Sequence, residues 1–261
     1  MKFVKTEQNE IIQNFRNKLY KKLITPIDAM WEQLYVASSQ HYLIEYNEAN
    51  IGYCSIDEHG SLLQLYVEPE FLSRLDEIVN TLIKSEIIHS ASLSSSEPMS
   101  FNTCLKYSKS TEVITYCYEF GAKQVDIEKA LDINLVNEED IPNVKAFMKR
   151  EIGFDDSFGY TENLVKRKEL YLVKDSDMIL ATSELRNSDS QTNIADIGVI
   201  VNSDYLGKGI ATKVLKQQIN RAIELGKKPI CSTTLDNIAS QKAISKAGFY
   251  CSNIIFNMNL K

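Results

Sequence analysis

The stretch VIVNSDYLGKGIATKVL, Val199 to Leu215, decides how the chain is read. A β-branched apolar run turns through Gly207 and Gly209 into an amphipathic helical pattern. Glycines at a helix start let several backbone N–H groups converge on one spot, where the helix dipole also favours an anion, above all a phosphate. A side chain would block close approach there, and the turn calls for positive φ. Three nucleotide-handling loops carry such glycines. A Walker loop requires GxxxxGK followed by Ser or Thr, a spacing the chain lacks. A dinucleotide fingerprint requires GxGxxG or GxGxxA, but Thr212 stands three residues after Gly209 and too few strand–helix units come after it. Lys208, between the glycines, either adds charge to the loop or sits in solvent.

Outward from the loop, the pattern on both sides is mixed α/β. Before it come a strand-like LDINLV from Leu131, a helix over Glu138 to Arg150, a second helix over Thr161 to Leu170, and a strand LYLV. MILATSEL and NIADIGVIV are the next two strands, joined by the polar RNSDSQT. After the loop, a helix runs to Leu225 with Gly226 as its C-cap, then strand PICSTT, a helix from Asn237 to Lys246 closed by Gly248, and a final apolar FYCSNIIFNMNL.

The N-terminal half repeats this order. HYLIEYN, NIGYCSID and SLLQLYV read as three strands and PEFLSRLDEIVNTLIKSE as a helix; IIHSASLSSS comes next, and EVITYCYEFG is the strand that ends the half. Laying Val67 on Val201 puts Ser73 and Leu75 where the second half has Gly207 and Gly209. The first half is thus expected to be a degenerate copy without the loop. A Gly-Ala-Lys break near Gly121 to Gln124 divides the chain into domains 1–124 and 125–261.

The third kind of loop fits. VIVNSDYLGKGIATKVL resembles the cofactor loop of the GNAT superfamily of acyl-CoA-dependent N-acetyltransferases, whose pattern is Gln or Arg, two residues, Gly, one residue, then Gly or Ala. LDNIASQKAISKAGF resembles the next motif of the same superfamily, an Asn opening a helix that ends in Gly-Phe. The resemblance implies an α/β fold with a mixed central sheet, in two tandem GNAT-like domains, and acetyl-CoA as co-substrate. It implies that backbone amides over Leu206, Gly207, Lys208, Gly209, Ile210, Ala211 and Thr212 hold the pyrophosphate. Val199, Ile200 and Val201 would pair with the pantetheine amides. Asn237 would contact the pantetheine arm or cap its helix, and Ser240 shares that ambiguity. Two departures weaken electrostatic attraction: Asp204 stands where Gln or Arg is usual, and Leu206 where a second Arg is frequent.

The implied reaction is attack of an amine on a thioester. An alkylammonium has a pKa near ~10, so a carboxylate is useful as base. Asp196 is the first candidate and Glu184 the second. Asp196 is out of step with Ile197, Val199 and Val201, and the alternative is a solvent-facing strand carboxylate. The Tyr that many members use as acid is replaced by Ile244, and Tyr250 reads as a packing residue. Asp155 and Asp156 either attract a cationic amine or act as a solvated or helix-capping pair. The acceptor is a small-molecule or peptide amine. The competing readings are a non-catalytic acyl-CoA-binding or interaction protein and, last, an NTP-binding protein.

Bulk properties narrow the classes further. At 261 residues the chain suits one large domain or two smaller ones. A net charge of −6 disfavours a nucleic-acid partner held through phosphates, and it divides as −5 before Val125 and −1 after, which places an anionic cofactor in the second half. No apolar run reaches the roughly 18 residues of a membrane span, and MKFVKTEQNEIIQNF has no signal-peptide core, so a cytoplasmic protein is expected. Five scattered cysteines and three histidines offer no metal site and no disulfide framework. An oligomer is compatible with all of this.

Overall fold

The structure, a computed structural model, describes residues 1–7 and 9–260. In chain order the elements are β1 (Lys2–Lys5), α1 (Asn9–Tyr20), a π-helical segment Trp31–Val36, β2 (Gln40–Tyr46), β3 (Ala49–Ile56) and β4 (Ser61–Val67). A 3₁₀ segment Pro69–Arg74 leads into α2 (Leu75–Lys84), followed by β5 (Ser90–Ser94), α3 (Pro98–Tyr107) and β6 (Ser110–Glu119). Then come β7 (Asn134–Leu135), the 3₁₀ turn Glu138–Asp140, α4 (Ile141–Ile152), α5 (Tyr160–Lys166), β8 (Leu170–Asp175), β9 (Met178–Asn187) and β10 (Ile194–Val201). The 3₁₀ turn Ser203–Tyr205 precedes α6 (Ile210–Glu224), β11 (Lys228–Thr234), α7 (Ile238–Ala247) and β12 (Tyr250–Asn259).

The chain forms two compact units, Met1–Cys117 with Ser252–Lys261, and Tyr118–Cys251. In the first unit the strand order is β1-β2-β3-β4-β5, continued by β12. β12 pairs antiparallel with β5 from Ile255 opposite Ser94 to Asn259 opposite Ser90. β4, SLLQLYV, is buried along its whole length, as expected of a strand covered on both faces. The β2–β3 hairpin turns through Asn47 and Glu48, both at positive φ, the twist a two-residue hairpin turn needs. Leu65, Val67, Leu75, Ile78, Val79 and Leu82 join one core cluster, while Tyr53 and Tyr66 pack with Phe15 and Leu19 of α1 in another.

In the second unit the order is β11-β10-β9-β8-β7. β10 pairs antiparallel with β9 along its length, from Ala195 opposite Asn187 to Val201 opposite Ala181. Its parallel pairing with β11 covers only Ile194, Ala195 and Asp196. α6 buries Val214, Leu215, Ile219 and Ala222 and packs on β9 and β10.

Several expected elements shift. Of LDINLV only Asn134 and Leu135 pair, opposite Leu172 and Tyr171. The helix expected from Thr161 to Leu170 stops at Lys166, because Lys168 takes a left-handed φ of 59° and Leu170 already opens β8. α3 is an addition to the expected elements: the serine-rich run before Pro98 hides a helix that proline starts at N1. Four cysteines are buried, and Cys251 is exposed. No helix among the described residues is long and apolar enough to cross a membrane.

Candidate functional site

The glycine loop forms because each segment settles its neighbour. Asn202 accepts a hydrogen bond from the Asp204 N–H at 3.0 Å and donates through Nδ2 to the Ile179 carbonyl at 3.1 Å, fixing the exit of β10. The buried Glu151 side chain accepts from the Ser203 N–H at 2.9 Å. Gly207 and Gly209 then adopt φ of 75° and 77°, left-handed conformations that a side chain would strain, and Gly209 is the N-cap of α6. Nothing lies within 4 Å of where a Cβ on either glycine would sit. The first backbone bond back to the cap runs from the Lys213 N–H to the Gly209 carbonyl at 3.1 Å, so the Ile210, Ala211 and Thr212 amides precede the helix ladder and face the loop mouth. Lys208 folds back, its Nζ 3.3 Å from the Asp204 carbonyl and 4.1 Å from the Tyr205 ring centroid. Leu206 is exposed, and Asp204 places a carboxylate in the exposed 3₁₀ turn just before it.

Behind the loop, β10 changes character where its pairing with β11 ends. Residues 194–197 are buried, whereas Gly198, Val199, Ile200 and Val201 are half-buried along an edge that no longer has a parallel neighbour. Alternate residues of such an edge offer their backbone N–H and C=O groups sideways. This is an open slot for an extended chain carrying amides.

Glu184, Arg186, Asp196 and Gly198 share one face, since Gly198 stands opposite Glu184 and Asp196 opposite Arg186. Asp196 does not face solvent. It is wholly buried, and its carboxylate lies 3.1 Å from Arg186 Nη2. The alternative reading of Asp196 as a solvent-facing strand carboxylate does not hold, because the partner that neutralises it sits across the strand pair. Glu184 Oε2 accepts both from Arg186 Nη1 and from the Tyr160 hydroxyl, the latter at 2.7 Å. Burial, with the Glu184 charge beside it, pushes the Tyr160 phenol up, so it stays a donor. A Cβ at Gly198 would meet Arg186 Nη1 at 3.3 Å and Glu184 Oε2 at 3.6 Å, so the glycine leaves the carboxylate facing the half-buried end of the strand. Arg186 and Tyr160 are absent from the residues that the sequence singles out. A signal exists for the first: two charges two residues apart on a strand share a face, and on a buried face they need partners.

An Acetyltransferase (GNAT) domain matches residues 8–120, and a second Acetyltransferase (GNAT) domain matches residues 136–250. A solved acetyltransferase from the GNAT family of Colwellia psychrerythraea is 30% identical, covers 100% of both chains and superposes with a TM-score of 0.95. The chain belongs to the GNAT acetyltransferase family. It carries two GNAT domains in tandem, in a mixed α/β fold. Two more distant GNAT structures share the fold: a GCN5-related N-acetyltransferase from Sphaerobacter thermophilus, 13% identical over 100% and 96% of the chains with TM-score 0.66, and a tandem GNAT protein from the clavulanic acid biosynthesis pathway, 10% identical over 100% and 98% with TM-score 0.64. No curated protein matches the chain.

GNAT acetyltransferases transfer acyl groups from acyl-CoA donors, in general acetyl-CoA; the second unit combines open glycines, amides ahead of the helix ladder and a splayed strand. The remaining residues of this GNAT protein divide by what already occupies them. Asn237 caps α7, accepting from the Ser240 N–H at 3.0 Å. Ile244 is buried in the core, and Tyr250 is half exposed with its hydroxyl 3.4 Å from Glu119. Asp155 is exposed and paired with Lys149 at 3.1 Å. Asp156 is buried and accepts from the Tyr160 and Thr161 N–H groups at 2.9 and 2.7 Å, capping α5. Against burial, which works the other way, those hydrogen bonds hold its carboxyl at about 2.

Proposed function

We infer that the protein is an N-acetyltransferase that moves an acetyl group from acetyl-CoA to a primary amine of a small molecule or peptide by direct attack. The observation that carries this reading is the open glycine cradle at the N-terminus of α6, set at the end of a strand that parts from its neighbour after Asp196. Amides of Leu206 through Thr212 would hold the pyrophosphate, and Val199, Ile200 and Val201 the pantetheine arm. Held there, acetyl-CoA would supply the electrophilic thioester carbonyl that the amine attacks.

Of the two carboxylates, Glu184 is the proposed proton acceptor. It borders Gly198, whereas Asp196 lies deeper and holds Arg186 in place. Glu184 keeps the acceptor amine neutral as it attacks, and Tyr160 and Arg186 hold the carboxylate in one orientation. A backbone N–H on the open edge of β10 would stabilise the tetrahedral oxyanion. No side-chain acid is required at the Ile244 position, because a thiolate with a pKa near ~8.5 leaves unaided. Asp156 serves α5 and the acceptor only indirectly. Asp155, exposed beside it, is the acceptor-facing carboxylate of that pair.

Buried Ile244 also favours a second reading, an acyl-CoA-binding protein without turnover. One experiment separates them: release of free thiol from acetyl-CoA by the purified chain across a panel of amines. Amine-dependent release that disappears in Gly207→Glu supports the enzyme. Acetyl-CoA binding without release from any amine supports the binder.

A further inference from the structure

The first unit lacks the glycine loop but keeps the splayed strand. β4 and β5 pair in parallel only at Ser61 opposite Ser90 and Leu62 opposite Ala91. Beyond that point the opening is crossed by Glu97, at the start of α3. The Glu97 carboxyl is buried, and its Oε1 accepts both from Ser100 Oγ and from the Leu65 N–H at 3.4 Å. An edge amide of β4 is thereby taken by the protein's own side chain, so this slot does not receive an amide-bearing arm as β10 does.

Two neighbouring cavities share Glu97 in their lining. One, of about 160 Å³, is walled by Leu65, Val67, Leu72, Leu75 and Met99, with Lys22 at its side. The other, of about 20 Å³, is lined by Asp28, Gln64, Tyr20 and Trp31. Leu19, Leu23 and Glu97 line both. The larger volume suits a small hydrocarbon body, since a dry cavity near 150 Å³ takes a benzene ring. The smaller has room for one group the size of a water molecule. Two acidic residues, Asp28 and Glu97, line that small space. Asp28 is buried, its Oδ1 accepts from the Trp31 N–H at 2.7 Å, and its Oδ2 is buried with no hydrogen-bond partner. Both hydrogen bonds of Glu97 go to Oε1. A cation there gives Asp28 Oδ2 a hydrogen-bond partner, and Tyr20 and Trp31 supply aromatic wall.

The geometry points to a binding site for a primary alkylammonium or arylalkylammonium ion in the first unit, its head between Glu97 and Asp28 and its hydrocarbon body against Leu65, Val67 and Leu72. An alcohol of the same shape fits the apolar cavity but leaves Asp28 Oδ2 unmatched. A carboxylate of the same length meets two like charges. Burial pushes the Glu97 carboxyl up to about 7, a cost that an adjacent ammonium relieves. The site is independent of the chemistry proposed for the second unit.

The test is isothermal titration of the full chain at pH 8 with n-hexylamine, n-hexanol and hexanoate. Hexylamine is expected to bind saturably and at least tenfold more tightly than either matched probe. Glu97→Gln, which keeps acceptors for Leu65 and Ser100, is expected to weaken the amine at least tenfold, and Leu72→Trp to abolish binding by filling the larger cavity. Asp28→Asn repeats the charge test if Glu97→Gln does not fold, as judged by circular dichroism. Hexanol binding as tightly as hexylamine overturns the proposal. So does amine binding that survives both Glu97→Gln and Leu72→Trp, which would place the amine in the second unit's acceptor site.

Discussion

Asn237 and Glu97 occupy the same position in the two units, the residue before the helix that comes after the parallel strand, and nearly the same backbone, with φ and ψ of −83° and 68° against −114° and 67°. Their side chains go opposite ways. Asn237 turns back on its own helix and accepts from the Ser240 N–H, leaving the edge of β10 open. Glu97 is one methylene longer, reaches across the splay and takes the Leu65 N–H of β4. The loops differ in the same sense. Gly207 and Gly209 turn left-handed and present amides, whereas Pro69–Arg74 winds as a 3₁₀ segment that uses its amides internally, Phe71 to Glu68 and Leu75 to Leu72, and buries Leu75 in the core. On the face that carries Glu184, Gly198 opposite Glu184 is matched by Gln64 opposite Ser55, and Gln64 is held by Tyr53 and Tyr20. One architecture has been opened in the second unit and filled from within in the first.

The sharpest way to break this contrast is to disable the proposed acceptor face of the open unit. Glu184→Gln is expected to lower kcat about 10²- to 10⁴-fold, the usual contribution of a general base, with acetyl-CoA affinity changed little. Asp196→Asn should divide its effect differently. Removing one partner of a buried ion pair costs about 3–5 kcal/mol of stability, so its mark is a lower urea midpoint alongside a smaller loss of kcat. If the two variants lose kcat equally and keep full stability, the roles assigned to the two carboxylates are wrong.

Next in size is the loop itself. In Gly207→Glu, a left-handed backbone conformation strains any side chain by about 1–2 kcal/mol, and the new carboxylate repels a pyrophosphate. Together these predict at least ~100-fold weaker acetyl-CoA binding by calorimetry. The converse substitution, Ser73→Gly with Leu75→Gly, should not create a second site. It exchanges a core leucine for nothing while Glu97 still holds the Leu65 amide. A stoichiometry of one acetyl-CoA per chain in both wild type and that double variant is the expected result.

How much of this could be read from the residues alone depends on whether the information is local. The glycine loop, its strand and its helix were legible because glycine position, apolar alternation and helical period all lie within a short run around Gly207. The degeneracy of the first loop was legible for the same reason, in Ser73 and Leu75. What was not legible is pairing at a distance. Nothing near Asp196 says that Arg186 sits beside it, and alternation alone left solvent and core equally open. Tyr160 joins Glu184 from a helix 24 residues away in sequence. Glu97 looked like part of a polar serine-rich run, and only the splay of β4 from β5 reveals that its carboxyl is buried.

That burial gives the contrast a pH signature. Folding raises the Glu97 carboxyl from an ordinary 4.5 to about 7, so between those values the folded chain holds a proton that the unfolded chain has released. Stability must therefore fall as pH rises through this window, the reverse of the usual carboxylate. Tyr53 and Cys104, two of its titratable neighbours, are pushed by burial well above the window and do not titrate in it. Glu97→Gln should be more stable than wild type at pH 8 relative to pH 4.5, by up to about 3 kcal/mol in urea unfolding. n-Hexylamine should narrow that gap at pH 8, since it stabilises only the wild-type charge.

The smallest effect separates the two roles open to Asn237. As a helix cap on an exposed helix start, it contributes about 1 kcal/mol, so Asn237→Ala should lower the melting temperature by a few degrees. Asn237→Asp keeps an acceptor for the Ser240 N–H and adds favourable charge at a helix N-terminus, so it should restore stability. Acetyl-CoA affinity decides the rest. If capping is the whole role, Asn237→Ala binds acetyl-CoA within about twofold of wild type, because only a fraction of the ~1 kcal/mol cap energy is felt at the slot. If the side-chain amide also reaches the pantetheine arm, affinity falls in Asn237→Ala and stays low in Asn237→Asp, whose carboxylate cannot donate. Asn237→Glu closes the comparison with the first unit: a side chain long enough to cross the splay should compete with the donor for the edge of β10, as Glu97 does for β4.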